Sequence, residues 1–126
     1  MKIDVRSMDE WLTIVSLNGE LDAYTAPDFR DTLVEIVQGG GAWVIADLSA
    51  VEYIDSVGLG ILVGAAKRTG QQGGDIAVVC QRHNLLRVFD VSGTRELLNV
   101  VPSLPEAQDF LRQAREDDAA DEGEQA

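Results

Sequence analysis

The chain has 126 residues, 45% of them hydrophobic, with 22 acidic and 10 basic side chains and a formal charge of −12. That length holds one domain with a real core and not two, and the apolar content excludes a wholly disordered chain. The charge argues against nucleic acid or an anionic membrane as direct partner. Six of the acids, Glu116, Asp117, Asp118, Asp121, Glu122 and Glu124, crowd the last eleven residues and read as a solvated tail, so the remainder is only mildly acidic.

Ile3–Arg6 and Trp11–Leu17 read as two strands joined by a turn at Ser7–Glu10. Gly19–Tyr24 reads as a loop. Thr25, Pro27 and Asp28 then open a helix with a hydroxyl cap, a proline just inside and an acid three residues on. Phe29, Leu33, Ile36 and Val37 mark its buried face, and Gly39–Gly41 ends it. Trp43–Leu48 is nearly all apolar, which suits a central strand covered on both faces. A short polar loop through Ile54 is expected to follow.

A second helix spans about Ser56 to Gln72, with Leu59, Leu62, Val63 and Ala66 at core spacing. Ile76–Cys80 is another buried strand and makes Cys80 a core thiol. His83–Val91 reads as a short helix closed near Gly93, Leu97–Val101 as a short edge strand, and Ser103 with Glu106 as the capping box of a last helix. The order β-β-α-β-α-β-α-β-α predicts an α/β domain, a mixed sheet of four to five strands packed with about four helices. Composition places the domain at residues 1–114 and an acidic tail, expected to be disordered, at 115–126. The N-terminus MKIDVRS is strand-like rather than a signal, and no run approaches about 18 apolar residues, so the expected location is the cytoplasm.

The most informative stretch is Asp55-Ser56 at the mouth of the second helix. Free backbone N–H groups and the helix dipole favour an added anion there, which makes Ser56 a candidate phosphorylation switch. The plainer role is an N-cap, which Asp55 can fill instead. Gly58, Gly60 and Gly64 each cost this helix about 1 kcal/mol against alanine. They serve either close packing of the helix or the close approach of a partner's backbone. Val57, Ile61, Ala65 and Arg68 form a second line, either a docking strip or part of a wider buried face.

Two segments resemble a known pattern. Leu17-Asn18-Gly19-Glu20-Leu21-Asp22 with Ala26-Pro27, and Asp47-Leu48 with Tyr53-Ile54-Asp55-Ser56-Val57-Gly58-Leu59-Gly60, resemble the two signatures of STAS domains; Leu86–Phe89, Ser92-Gly93 and Glu106-Ala107 also fit. The resemblance covers roughly residues 1–114. Among STAS families the chain is most similar to bacterial anti-sigma factor antagonists. That implies a protein that binds an anti-sigma factor and so releases a sigma factor for transcription. The implied partner is also a serine kinase of the histidine-kinase-like ATPase fold. It would phosphorylate Ser56 and so switch binding off, and a metal-dependent serine phosphatase would reverse the step. With the resemblance, Asp22, Asp55, Val57 and Gly58 are expected to shape the partner surface, and Ile61 joins them from the second line along the helix. Val57 stands where the family often has a second hydroxyl residue.

No cofactor or metal site is expected and no enzyme: there is no G-x-S-x-G elbow, no P-loop and no metal-ligand spacing, and the sole histidine, His83, begins a short helix. The alternative role is a non-catalytic STAS scaffold or a subunit of a stress-signalling or lipid or anion transport complex.

Overall fold

The computed structural model describes residues 1–125, and the side chains of residues 1–119. Nine elements follow in the order read from the sequence: β1 (Lys2–Met8), β2 (Leu12–Leu21), α1 (Ala26–Gln38), β3 (Trp43–Ile54), α2 (Ser56–Gln71), β4 (Asp75–Val79), α3 (His83–Ser92), β5 (Val100–Val101) and α4 (Leu104–Gln125). They form one five-stranded sheet ordered β1-β2-β3-β4-β5. β1 is antiparallel to β2, because a tight turn joins them, and every later pair is parallel, because a helix intervenes. The expected mixed α/β sheet is the one observed.

The strand order advances in one direction, so crossovers of a single hand place α1, α2 and α3 on the same face of the sheet. Phe29 and Leu33 of α1, Leu62 and Ala65 of α2, and Leu85 and Phe89 of α3 meet Val44, Ala46 and Leu48 of β3 there. The alternate strand residues Ile14, Ile45, Ala77 and Val79 face the other way, against Ala107 and Leu111 of α4. β3 is apolar on both sides because both sides are covered.

Four boundaries differ from the sequence reading. The polar loop expected after Leu48 is the second half of β3, and Gly19–Leu21, expected as loop, is the end of β2. The two segments pair with each other from Asn18↔Ala50 to Leu21↔Ile54, past the point where β4 ends opposite Asp47. Register shifts fall at the start of this two-stranded arm, between Ser16 and Asn18, and within it between Gly19 and Glu20, where Gly19 has φ +120°, a backbone that glycine alone adopts cheaply. Its polar outward residues made it look like loop, while Val51 and Ile54 are buried beneath it.

β5 contracts to two residues, with Leu97 exposed and Leu98 buried ahead of it. Finally, α4 does not stop at residue 114, where composition put the domain boundary, but runs through the acidic segment to Gln125. Its side of the sheet carries a second aromatic cluster. Trp11 and Trp43 meet edge to face with centroids 6.1 Å apart, and the Arg115 guanidinium lies 4.8 Å from the Trp11 ring. Among the described residues no helix is long and apolar enough to cross a membrane.

Candidate functional site

The β2–β3 arm ends in two adjacent turns, one leading into α1 and one into α2, and both are built on an aspartate. Asp55 is the N-cap of α2, with extended backbone (φ −106°, ψ −177°), and its Oδ1 accepts the Gly58 amide at 2.9 Å. Its Oδ2 accepts the Ala23 amide at 3.1 Å, and its own N–H donates to the Leu21 carbonyl at 3.2 Å. Asp55 therefore caps the helix and ties the two turns together.

Asp22 is the anchor of the first turn. Its Oδ1 accepts the amides of Tyr24 at 2.9 Å and Thr25 at 3.1 Å, and its carbonyl accepts that of Ala26 at 2.8 Å. Thr25 precedes α1 as expected but makes no side-chain cap. Its hydroxyl donates instead to the Glu20 carbonyl at 2.7 Å, back across the turn that Asp22 organises. The tethered turns leave Ala23 and Tyr24 standing in solvent.

Ser56 is the first residue of α2 and is exposed. The first N–H groups of a helix have no carbonyl one turn back, and Asp55 takes only the one from Gly58. The amides of Ser56 and Val57 thus remain at the helix mouth beside the serine hydroxyl. Val57 is exposed and Ile61, one turn along, is half-buried.

Gly58 does not share that surface. It is buried, and a methyl placed on it would sit 2.5 Å from the Leu21 carbonyl oxygen and 2.8 Å from Leu21 Cγ. Gly60 faces open space, so the two explanations offered for these glycines divide between them: Gly58 packs the helix, and Gly60 leaves its surface low. The expected second line also divides. Ala65 is buried with Leu62, whereas Val57 and Ile61 are not, and Arg68 folds back toward Gly64, one of its nitrogens buried.

One wall of the site was not found from the sequence. A groove of about 400 Å³ runs from Ser56 along α3, lined by Ile54, Asp55, Ser56 and Leu59 on one side and Asn84, Arg87, Val88, Val91 and Ser92 on the other. Asn84, Arg87, Val88 and Val91 fall at helix positions i, i+3, i+4 and i+7, a single face of α3. The Asn84 side-chain amide donates to the Glu52 carbonyl at 3.0 Å and fixes α3 against the β2–β3 arm. The signal was present in the exposed apolar Val91, which lies outside the Leu85 and Phe89 core stripe. His83 is exposed at the start of the same helix, and Cys80 is buried at the end of β4. Burial raises the Cys80 thiol above its usual range, which disfavours the reactive thiolate.

Four of the exposed large apolar side chains lie on the segments that flank this end, the others being Met1, Val5, Leu97 and Phe110. Tyr24 (93% exposed), Tyr53 (49%), Val57 (45%) and Val91 (81%) all stand on the segments around Ser56. Among the described residues no group of three or more His, Cys, Asp or Glu side chains is placed to hold a metal ion.

The family profile described as STAS domain matches residues 2–107. The chain is 33% identical over 100 residues to the anti-sigma-B factor antagonist of Bacillus subtilis, covering 79% of this chain and 90% of that protein. It is 36% identical over 86 residues to the anti-sigma-B factor antagonist of Staphylococcus epidermidis, covering 68% and 80%. The crystal structure of an anti-sigma factor antagonist from Mycobacterium paratuberculosis superimposes with a TM-score of 0.81 at 29% identity, over 88% of this chain and 93% of that one.

Proposed function

The chain belongs to the STAS domain family, and we propose that it acts as an anti-sigma factor antagonist: a non-catalytic binding module that engages an anti-sigma factor and thereby frees a sigma factor. The partner in this reading is an anti-sigma factor of the histidine-kinase-like ATPase fold that doubles as a serine kinase. A serine phosphatase resets the system. Neither membrane insertion nor nucleic acid enters it, in keeping with the net charge of −12.

The observation that carries this reading is the exposed Ser56 at the mouth of α2, followed by exposed Val57 and facing Val88 and Val91 across a largely apolar groove, with exposed Tyr24 and Tyr53 on the neighbouring segments. An apolar surface of this kind with a polar rim is what a protein partner covers. Asp22 and Asp55 shape it from behind, through backbone amides held by Asp22 Oδ1 and by both Asp55 carboxylate oxygens. Val57 and Ile61 extend it along α2. Gly58 contributes from beneath, by letting α2 sit close on Leu21.

Phosphorylation of Ser56 is the off-switch. The serine oxygen attacks the γ-phosphorus of ATP held by the kinase, the bond to ADP breaks, and the hydroxyl proton passes to a base of the kinase. The product carries about −1.5 to −2 charges and three acceptor oxygens. The α2 dipole and the free Ser56 and Val57 amides tolerate that anion, so the domain stays folded. A partner surface fitted to a neutral hydroxyl meets instead a desolvated dianion beside Asp55, and each 1.4 kcal/mol of that penalty is about tenfold in affinity.

The test is calorimetric titration of an ATPase-fold anti-sigma factor from the same genome with wild type, Ser56→Ala and Ser56→Asp, then mass spectrometry of wild type after incubation with ATP. Binding by wild type, loss of tenfold or more for Ser56→Asp, and phosphate on Ser56 are expected. Tight binding without phosphate keeps the antagonist role and removes the switch. A wild type that engages none of these factors overturns the reading in favour of a scaffold or transport-complex subunit.

A further inference from the structure

We infer that Arg87 is the intramolecular counter-charge for phosphorylated Ser56, and that their pairing across the α2–α3 groove closes the apolar surface the partner uses. This rests on Ser56 as the phosphate acceptor and deepens the switch by assigning the residue that receives the anion.

Ser56 and Arg87 line opposite sides of one groove. Arg87 supplies the cationic group among its lining residues, and the rest of the lining is largely apolar: Ile54, Leu59, Val88 and Val91. Arg87 is exposed, and among the described residues it forms no ion pair; the pairs present are Arg30–Asp31, Arg95–Asp90 and Arg112–Asp109. Asp90, one turn along the same helix, is paired with Arg95 instead. Both Asp90 carboxylate oxygens accept from Arg95 Nη1 at 3.1 Å. The Asp55 oxygens are likewise engaged, by the Gly58 and Ala23 amides. The unphosphorylated protein thus keeps a guanidinium at the groove with no anion committed to it.

The geometry is held rather than adaptable. Asn84, one turn before Arg87, is bonded to the Glu52 carbonyl, and Phe89 is buried in the core. Helix α3 cannot swing away, so the arginine side chain alone has to move. A phosphoseryl group at Ser56 offers two or three oxygens to a planar fork of N–H donors, the pairing for which arginine is suited above lysine. Once paired, the guanidinium and its methylene stem lie over Leu59, Val88 and Val91. The modification then acts twice: it adds charge where the partner docks, and it covers the apolar contact.

The experiment needs neither kinase nor partner. Phosphoserine is installed at position 56 of the full chain during expression, in wild-type, Arg87→Gln and Arg87→Lys backgrounds. The second phosphate ionisation is followed by phosphorus NMR, and the Val88 and Val91 methyl groups by carbon–proton correlation. An adjacent arginine favours the dianion. The phosphate in the wild-type background is expected to ionise at a pH at least about 0.5 below that in Arg87→Gln, with Arg87→Lys between them. The methyl resonances should shift on phosphorylation in wild type and stay in place in Arg87→Gln. Equal titrations in the wild-type and Arg87→Gln backgrounds, or methyl shifts indifferent to Arg87, overturn the inference. Thermal melts of the unphosphorylated variants verify that each is folded. These outcomes are separate from the binding test above: the antagonist role survives loss of the contact, and the contact survives a partner that ignores the phosphate.

Discussion

Asp55 and Ala23 are 32 positions apart in the chain, and the carboxylate of one accepts the amide of the other at 3.1 Å. The same carboxylate caps α2 through Gly58 at 2.9 Å, so one side chain organises both turns at this end of the molecule. Ser56 is presented by a residue whose two carboxylate oxygens each accept a backbone amide.

Replacing Asp55 by alanine removes the cap and the tether together. A cap alone is worth about 1 kcal/mol, so a loss of about 1–2 kcal/mol in urea denaturation is expected for Asp55→Ala, and a smaller loss for Asp55→Asn. Hydrogen exchange at the Ala23 and Gly58 amides should accelerate in both. A stability unchanged in Asp55→Ala would contradict the bridging role.

Gly58 and Gly60 lie two residues apart on α2 and should respond in opposite directions. A methyl on Gly58 meets the Leu21 carbonyl at 2.5 Å, whereas one on Gly60 meets nothing within 4 Å. Gly58→Ala is expected to destabilise by about 1–3 kcal/mol, the overpacking cost exceeding the gain in helix propensity. Gly60→Ala is expected to stabilise by about 0.5–1 kcal/mol. Thermal denaturation of the two variants decides it.

Val91 tests whether α3 belongs to the partner surface. It is 81% exposed and lines the groove beside Ser56. Val91→Asp should leave the melting temperature within about 2 °C of wild type, as a surface change does. It should weaken anti-sigma factor binding tenfold or more, and calorimetry that finds equal affinity removes α3 from the interface.

Asp75 lies at the start of β4, and its carboxyl is raised above the ordinary aspartate value. Burial is the larger cause, opposed by the hydrogen bond from the Ile76 amide, with repulsion from Asp118 a lesser contribution. A raised folded-state value means that the folded protein binds the proton more tightly. Stability from this group is therefore present in acid and falls as pH rises through the range just above 3.8. Asp75→Asn should be more stable than wild type at neutral pH, by a modest margin because the group is partly solvated. The gain should vanish near pH 3. Melts of the two proteins across this range measure the difference, and a gain that persists in acid would contradict it.

Arg115 lies 4.8 Å from the Trp11 ring, beyond the boundary that composition suggested at residue 114. Arg115→Ala is expected to lose about 0.5–1 kcal/mol and to change the tryptophan emission of the folded protein. Unchanged emission would place the cation away from the ring.

The sequence by itself determined the order of nine elements, the mixed sheet and the position of Ser56 at a helix mouth. These are local properties: apolar runs and helical spacing around Trp43–Leu48 and Leu59–Ala66, a capping box at Ser103, glycines at helix ends. The signatures Leu17–Asp22 and Tyr53–Gly60 pointed to the family for the same reason, since each is a contiguous string.

Only the tertiary structure decided that Ser49–Ile54 is strand, because this segment of mixed polarity is held by pairing with Asn18–Leu21, which no local window contains. It decided that Gly58 faces inward, because a glycine has no side chain whose polarity could reveal its direction. It decided that Asp55 reaches Ala23 and that Arg87 and Val91 border Ser56. Those contacts depend on where the β2–β3 arm and α3 come to rest, set by the packing of Ile54, Leu85 and Phe89 in a common core.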